Sequence, residues 1–486
     1  MDFPAGPWMP DQSEVSSLLV ADGVIPKADG YGPFPSLSVS TSATALATAP
    51  RGAFGFTTAG SSWKLAVGED TKVRLMASDY SFTDIDTGLT PTSGYDFSFA
   101  QFGTKLLYTN TTDGLRAYDV ESGGAASAVA AAKNPAWIFQ IGNQIAALNC
   151  LDSTGSRSNR LLRLSAYSSH TNWTGAGADY QPIDSGGGLI WGGAVTGTSG
   201  ILLQERAAKV MTLGSFGGAS FRLDNIADEF GSVGARSCAT VNGRAFWLST
   251  DGFRMWYPGL VEPNHIGAGR VDTWLFDRID QGSLYLTLAA IDPYRKNVLW
   301  AWKRSSGSST TVFSDIIGYN WAFDKWFTLT TDVAYLCYLG LPAATWDAYD
   351  AAATWDSVSY VWDDRVLSGG QPVFAGFSSA YKFGSFSGTS MAATVTHNVA
   401  NNPVTGLVNW ADPVTDSANA TLALGVKDEL SDGITYKTAA SKVSSGRVPL
   451  RGRGKNINFK TQIPAAETWT YYKGVDHVSA VTGGPR

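Results

Sequence analysis

The sequence predicts an all-β protein, and three observations carry that prediction. Charged residues are 16% of the chain, against roughly 25% in an ordinary soluble domain, so the Glu and Lys that coat solvent-facing helices are scarce. Glycine is abundant at 53, and 17 Trp, 19 Tyr and 23 Phe accompany it, which suits many short strands joined by tight turns. A loose turn–strand–turn–strand motif then recurs from Phe102, Ile141, Leu189, Thr240 and Ile291. Those starts lie roughly 40–50 residues apart, the length of one four-stranded propeller blade.

The elements follow in order. Residues 1–45 read as an extended arm, because Pro4, Pro7, Pro10, Pro26, Pro33 and Pro35 forbid a continuous helix or a central strand. Trp8, Met9, Phe34 and Leu37 supply apolar anchors, so the arm docks on a partner or folds back on its own chain. Residues 46–344 carry the repeats and read as a propeller-like domain. Its best hairpins turn at Asn242-Gly243 and Asp251-Gly252, dipeptides that supply positive φ angles. Between them Ala245, Trp247 and Ser249 alternate with Phe246 and Leu248, both faces largely apolar, as in a strand held between layers. The run AASAVAAAK at 125–133 is the sole helix candidate.

Residues 345–374 are rich in Trp-Asp pairs, with TWDAYDAAATWDSVSYVWDDR at their heart. These pairs recur within one short segment rather than once per blade, which excludes the WD signature of a repeat. Residues 375–486 change texture to alternating, Thr-rich runs and read as a C-terminal β-sandwich or sheet domain.

Composition bounds the chemistry. A formal charge of −6 argues against a surface that coats nucleic acid throughout, but a local basic patch is compatible with it. Cys150, Cys238 and Cys337 are an odd, widely spaced set without CxxC and read as buried apolar residues. The N-terminus lacks the basic start and apolar core of an export signal, and no apolar run approaches the ~18 residues of a membrane helix. His170, His265, His397 and His477 are scattered, with no HExxH, no phosphate loop and no nucleophile elbow, so no catalytic residue, metal site or cofactor site is nominated. Asp224, Asp228 and Glu229 read as a solvated loop rather than a cation site. The one concentration of charge is Arg447, Arg451, Arg453 and Lys455, with Lys460 beyond. It is a candidate DNA-channel wall or a set of inter-subunit contacts.

Several landmarks in fixed order resemble the tail-nozzle, or tail-stabilisation, proteins of short-tailed bacteriophages. GVIPKADGYGPFPSLS (23–38) is similar to that family's N-terminal arm. SAYSSHTNWTGAGADYQPIDSGGGLIWGGAVTGTSGILLQERAAKVMTLGS (165–214) and SVGARSCATVNGRAFWLSTDGFRMWYPG (232–259) resemble its central region. HIGAGRVDTWLFDRID, AAIDPYRKNVLWAW and IIGYNWAFDKWFTL continue the order. VWDDRVLSGGQPVFAGFSSAYKFGSFSG (361–388) is similar to its connector, with Trp where Leu is usual. That likeness implies that 345–374 connect the propeller to the C-terminal domain, with Trp346, Trp355 and Trp362 as candidate anchors of the seam. GRVPLRGR at 446 and ETWTYYKGVDHVSAVTGGPR at the end resemble its close, with Val448 and Pro449 replacing an aromatic.

The resemblance spans nearly the whole chain. It implies a non-enzymatic virion protein, assembled in the host bacterial cytoplasm as a homo-hexameric ring at the distal end of the tail. The implied partners are a tail adaptor on one side, a needle, plug or fibres on the other, and viral double-stranded DNA in transit, with no cofactor. The alternative on residues alone is a carbohydrate-binding or carbohydrate-active propeller, since Trp and Asp are common sugar contacts.

Overall fold

The computed structural model describes residues 3–340 and 372–482, apart from 15, 59–62, 78, 93–95, 242, 428, 430 and 431. Trp346, Trp355 and Trp362, and with them the seam reading, lie outside the described residues, as does Asn242 of the first hairpin. Among the described residues the protein is almost wholly β, and no helix is long and apolar enough to cross a membrane.

Seven four-stranded antiparallel sheets stand in a ring, a β-propeller, among these residues. Their innermost strands are Ala53–Thr57, Ser98–Phe102, Trp137–Ile141, Leu189–Ala194, Ala239–Val241, Leu288–Asp292 and the second half of Lys325–Gly340. Each of these touches the next, and the last touches the first. All five repeat starts read from the sequence fall on innermost strands, each of which leads into a buried second strand of its blade. Small residues let seven strands converge. A Cβ on Gly55 would lie 2.6 Å from the Tyr338 carbonyl oxygen, so only glycine allows the first and last blades to approach this closely. Aromatic packing joins blades five and six, where Phe253 lies 4.5 Å from Trp300 and 4.9 Å from Trp326, ring centroid to centroid.

The last two blades share a strand. Lys325–Gly340 pairs through Lys325–Thr330 with Phe313–Asn320, passes a register shift at Val333, and pairs onward with Pro372–Ser378. Blade seven is completed by Phe383–Ser390 and, outermost, by Pro35–Val39 from the N-terminal arm, with Ser38 opposite Ser385. Both ends of the propeller are thereby held in one sheet. The sequence boundary at 375 is corrected here: 372–390 belong to the ring, because their backbone groups pair with Lys325–Gly340 and with the arm.

The arm folds back on its own chain. Leu18–Asp22 pairs antiparallel with Ala393–His397 of the C-terminal domain and touches the outer edge of blade six, where Asp22 lies opposite Thr328. Trp8 and Phe34 are buried. Asp11 accepts hydrogen bonds from the Thr273 and Trp274 amides, capping the short helix Asp272–Phe276 from outside it. The arm's prolines remain compatible with strands because these segments are short and pair on limited edges, as with Pro26 opposite Tyr31 in one hairpin.

The C-terminal domain is built on the long strand Val448–Ile463, which pairs with Ala400–Thr415, Thr421–Lys427 and Ala393–His397. Its buried side chains, Val448, Leu450 and Phe459 among them, close a core with Val408, Leu424, Val475 and Phe3. The helix expected at 125–133 is absent: Ser127–Ala128 forms a short edge strand and Ala130–Ala132 a single 3-10 turn. Alanine propensity over so short a run is outweighed by the blade's demand for a fourth strand.

Candidate functional sites

Two places concentrate unusual chemistry: the mouth of the propeller channel, and the exposed face of Val448–Ile463. The channel itself is a cavity of 390 Å³ walled by all seven innermost strands, including Gly55, Ala100, Gly192, Ala239 and Ala289. Its upper end opens into a wider cavity of 620 Å³. That cavity lies where the chain enters the inner strands and where second strands turn into third strands, so loops from blades two to seven line it.

A salt bridge sits in this mouth. Arg236, before the inner strand of blade five, reaches Asp96, before that of blade two. The contact is bidentate, Nε to Oδ2 and Nη2 to Oδ1, each at 2.5 Å. Both side chains are largely buried, at 19% and 8% exposure. Burial disfavours the guanidinium charge, but the Asp96 carboxylate more than compensates and holds the Arg236 pKa above its ordinary value. Tyr335 lies beside the pair, its pKa raised by burial and then by the Asp96 charge. Planar fork-to-fork pairing of this kind fixes geometry as well as charge. The pair is therefore a brace joining nearly opposite blades at the channel mouth.

The same cavity presents polar groups with no partner among the described residues. Asn149 carries a buried, unbonded Oδ1. Asn159 and Glu205 make no side-chain hydrogen bond and stand on exposed turns of blades three and four. Cys238, in the wall, is a free thiol with its pKa pushed up to about 12 by burial, so it is inert as a nucleophile. Cys150 and Cys337 are likewise buried and free.

The basic cluster splits in two. Val448–Ile463 begins with strict alternation, and Arg451, Arg453 and Lys455 all stand on its exposed face. Successive members of this row are two residues apart, roughly 6.8 Å along the strand. None has an ion-pair partner among the described residues. Arg447 is separate: its guanidinium carbon lies 4.2 Å from the Trp410 ring centroid, a cation–π contact.

The remaining sequence candidates are structural. Asp224 pairs with Arg222, and Asp228 accepts from the Asn225 amide, so the blade-four loop turns its carboxylates to local partners. His397 is fully buried with Nε2 2.7 Å from the Tyr472 hydroxyl, and burial pushes its pKa down to about 3. His265 lies 2.7 Å from Asp272. Sequence reasoning did not find the Arg236–Asp96 brace, since its members are far apart in the chain. A lone Arg in GARSC, just ahead of a strand, was the only trace.

No protein-family model and no curated protein sequence matches the chain. Among solved structures it is similar to the β-propeller domain of Cps50 (Swd1) from Myceliophteria thermophila, at 8% identity, covering 72% of this chain and 99% of that one, with a TM-score of 0.42. It is similar to the RRP9 WD40 repeats at 10% identity, covering 62% and 89%, with a TM-score of 0.39. A quinonprotein alcohol dehydrogenase-like protein from Bacteroides thetaiotaomicron matches at 11% identity, covering 68% and 76%, with a TM-score of 0.37. At these scores the likenesses carry nothing about site or activity, and the propeller assignment rests on the closed ring of seven blades itself.

Proposed function

We propose that the chain is a structural subunit of the tail of a short-tailed bacteriophage: a ring-forming nozzle that binds its neighbours and guides the genome outward. The observation that carries this reading is the unpaired row Arg451, Arg453 and Lys455 on one face of a chain whose formal charge is −6. A basic stripe on an otherwise acidic surface suits a head-to-tail contact, because each copy offers the charge that the next one lacks. The ordered resemblance from the arm to the C-terminal close supports the same reading. The arm adds to it, since a propeller and a second β domain stitched by one strand make a stiff wedge for a ring.

The conduit in this reading lies between subunits. A propeller channel braced by Arg236 and Asp96 leaves no path for a duplex through a single chain. The ring would sit at the distal end of the tail, held by an adaptor and bearing a needle, plug or fibres. Mass photometry of the purified chain, alone and with the adaptor, tests the assembly. A species of six chains that dissociates as salt rises is expected. A monomer under every condition overturns the reading.

A further inference from the structure

The cavity at the propeller mouth is built for a ligand that the tail reading does not use. Its volume, 620 Å³, lies within the roughly 300–1,000 Å³ typical of small-molecule sites. Its polar groups converge on one wall. Asn159 and Glu205 face each other over Gly188: a Cβ there would lie 2.8 Å from Asn159 Nδ2 and 3.2 Å from Glu205 Oε1. Gly188 does not have the positive φ that would demand glycine, unlike Gly186 and Gly187 beside it. The missing side chain therefore keeps space open between an amide and a carboxylate. Asn149 lines the same wall, but its unbonded Oδ1 is sealed from the cavity by burial. The opposite wall is aromatic, with Tyr285 at 49% exposure and Tyr335 deeper.

The chemistry of the ligand follows from the groups. The one strong cation, Arg236, is already held by Asp96, so an anion finds no free charge. The Asn159 amide both donates and accepts, the pattern that vicinal hydroxyls match, and Glu205 accepts further from hydroxyl donors. An aromatic face opposite them suits the apolar C–H face of a sugar ring. We propose that this cavity binds a neutral saccharide of one or two rings, with Asn159 and Glu205 taking its hydroxyls and Tyr285 covering a ring face.

Saturation-transfer NMR on the full chain tests this, with maltose, lactose, trehalose and methyl glucoside as millimolar probes. Transfer to at least one probe is expected. It should fall several-fold in N159A/E205A, and again in G188L, which fills the cradle from a different position. Asn159 and Glu205 lie on exposed turns and Gly188 is buried beside them, so an unchanged unfolding temperature verifies that each variant is folded. No transfer to any probe overturns the proposal, as does transfer undiminished in both variants; loss in either supports it. Neither result bears on ring assembly, which is read by mass.

Discussion

Arg236 and Asp96 meet in a two-bond salt bridge across the mouth of the propeller channel, joining blade five to blade two. Removing one partner leaves the other buried and unpaired, so R236M or D96N alone should destabilise the protein by ~3–5 kcal/mol. R236M/D96L, which removes both charges, should recover most of that loss. Urea unfolding of the three variants checks this; equal losses in the single and double variants would show that the pair contributes through packing alone.

Closure of the ring by the arm is directly checkable. Ser38 and Ser385 lie opposite each other on adjacent strands, a spacing within the ~4.4–6.8 Å that a disulfide bridges. S38C/S385C should oxidise to an intramolecular crosslink, seen as faster migration without reductant. The native cysteines are buried and should not compete. Failure to crosslink in the folded protein would place the arm elsewhere.

His397 gives the stability a pH dependence. Its pKa falls from 6.5 to about 3 on folding, through burial, so the unfolded chain takes up a proton that the folded chain refuses. The contribution is fully present above pH 6.5 and is lost progressively down to about 3, with a limiting slope of ~1.4 kcal/mol per pH unit. H397F leaves the Tyr472 hydroxyl its bond to Thr461 and should flatten that slope. An identical pH profile in both proteins would contradict the assignment.

The basic row should separate assembly from folding. R451E/R453E/K455E changes exposed side chains only, so unfolding should shift by no more than ~0.5 kcal/mol per site. The six-chain species should disappear. A ring that persists, but holds DNA less well, would move the row from the subunit contact to the lumen.

Much of the propeller was legible because each repeat joins an inner strand to a buried second strand, and the five repeat starts mark those inner strands. Blade seven was not legible. Its strands come from 35–39, 333–340 and 372–390, so no single window of sequence holds its pattern. The prolines that marked the arm as extended also concealed that it pairs, because proline removes one donor without preventing a short edge ladder. The exposed row was readable from alternation alone: Val448 and Leu450 turn inward, which puts Arg451 and Arg453 outside. The mouth was not, since Asp96, Asn149, Glu205 and Arg236 come from four blades and meet only when the ring closes.

The central claim, a ring subunit at the distal end of a phage tail, is tested most directly by electron microscopy of an assembled short-tailed particle labelled with an antibody fragment against this chain. The account predicts six-fold decoration at the tip of the tail. Particles without decoration, or label confined to material outside the virion, would contradict it.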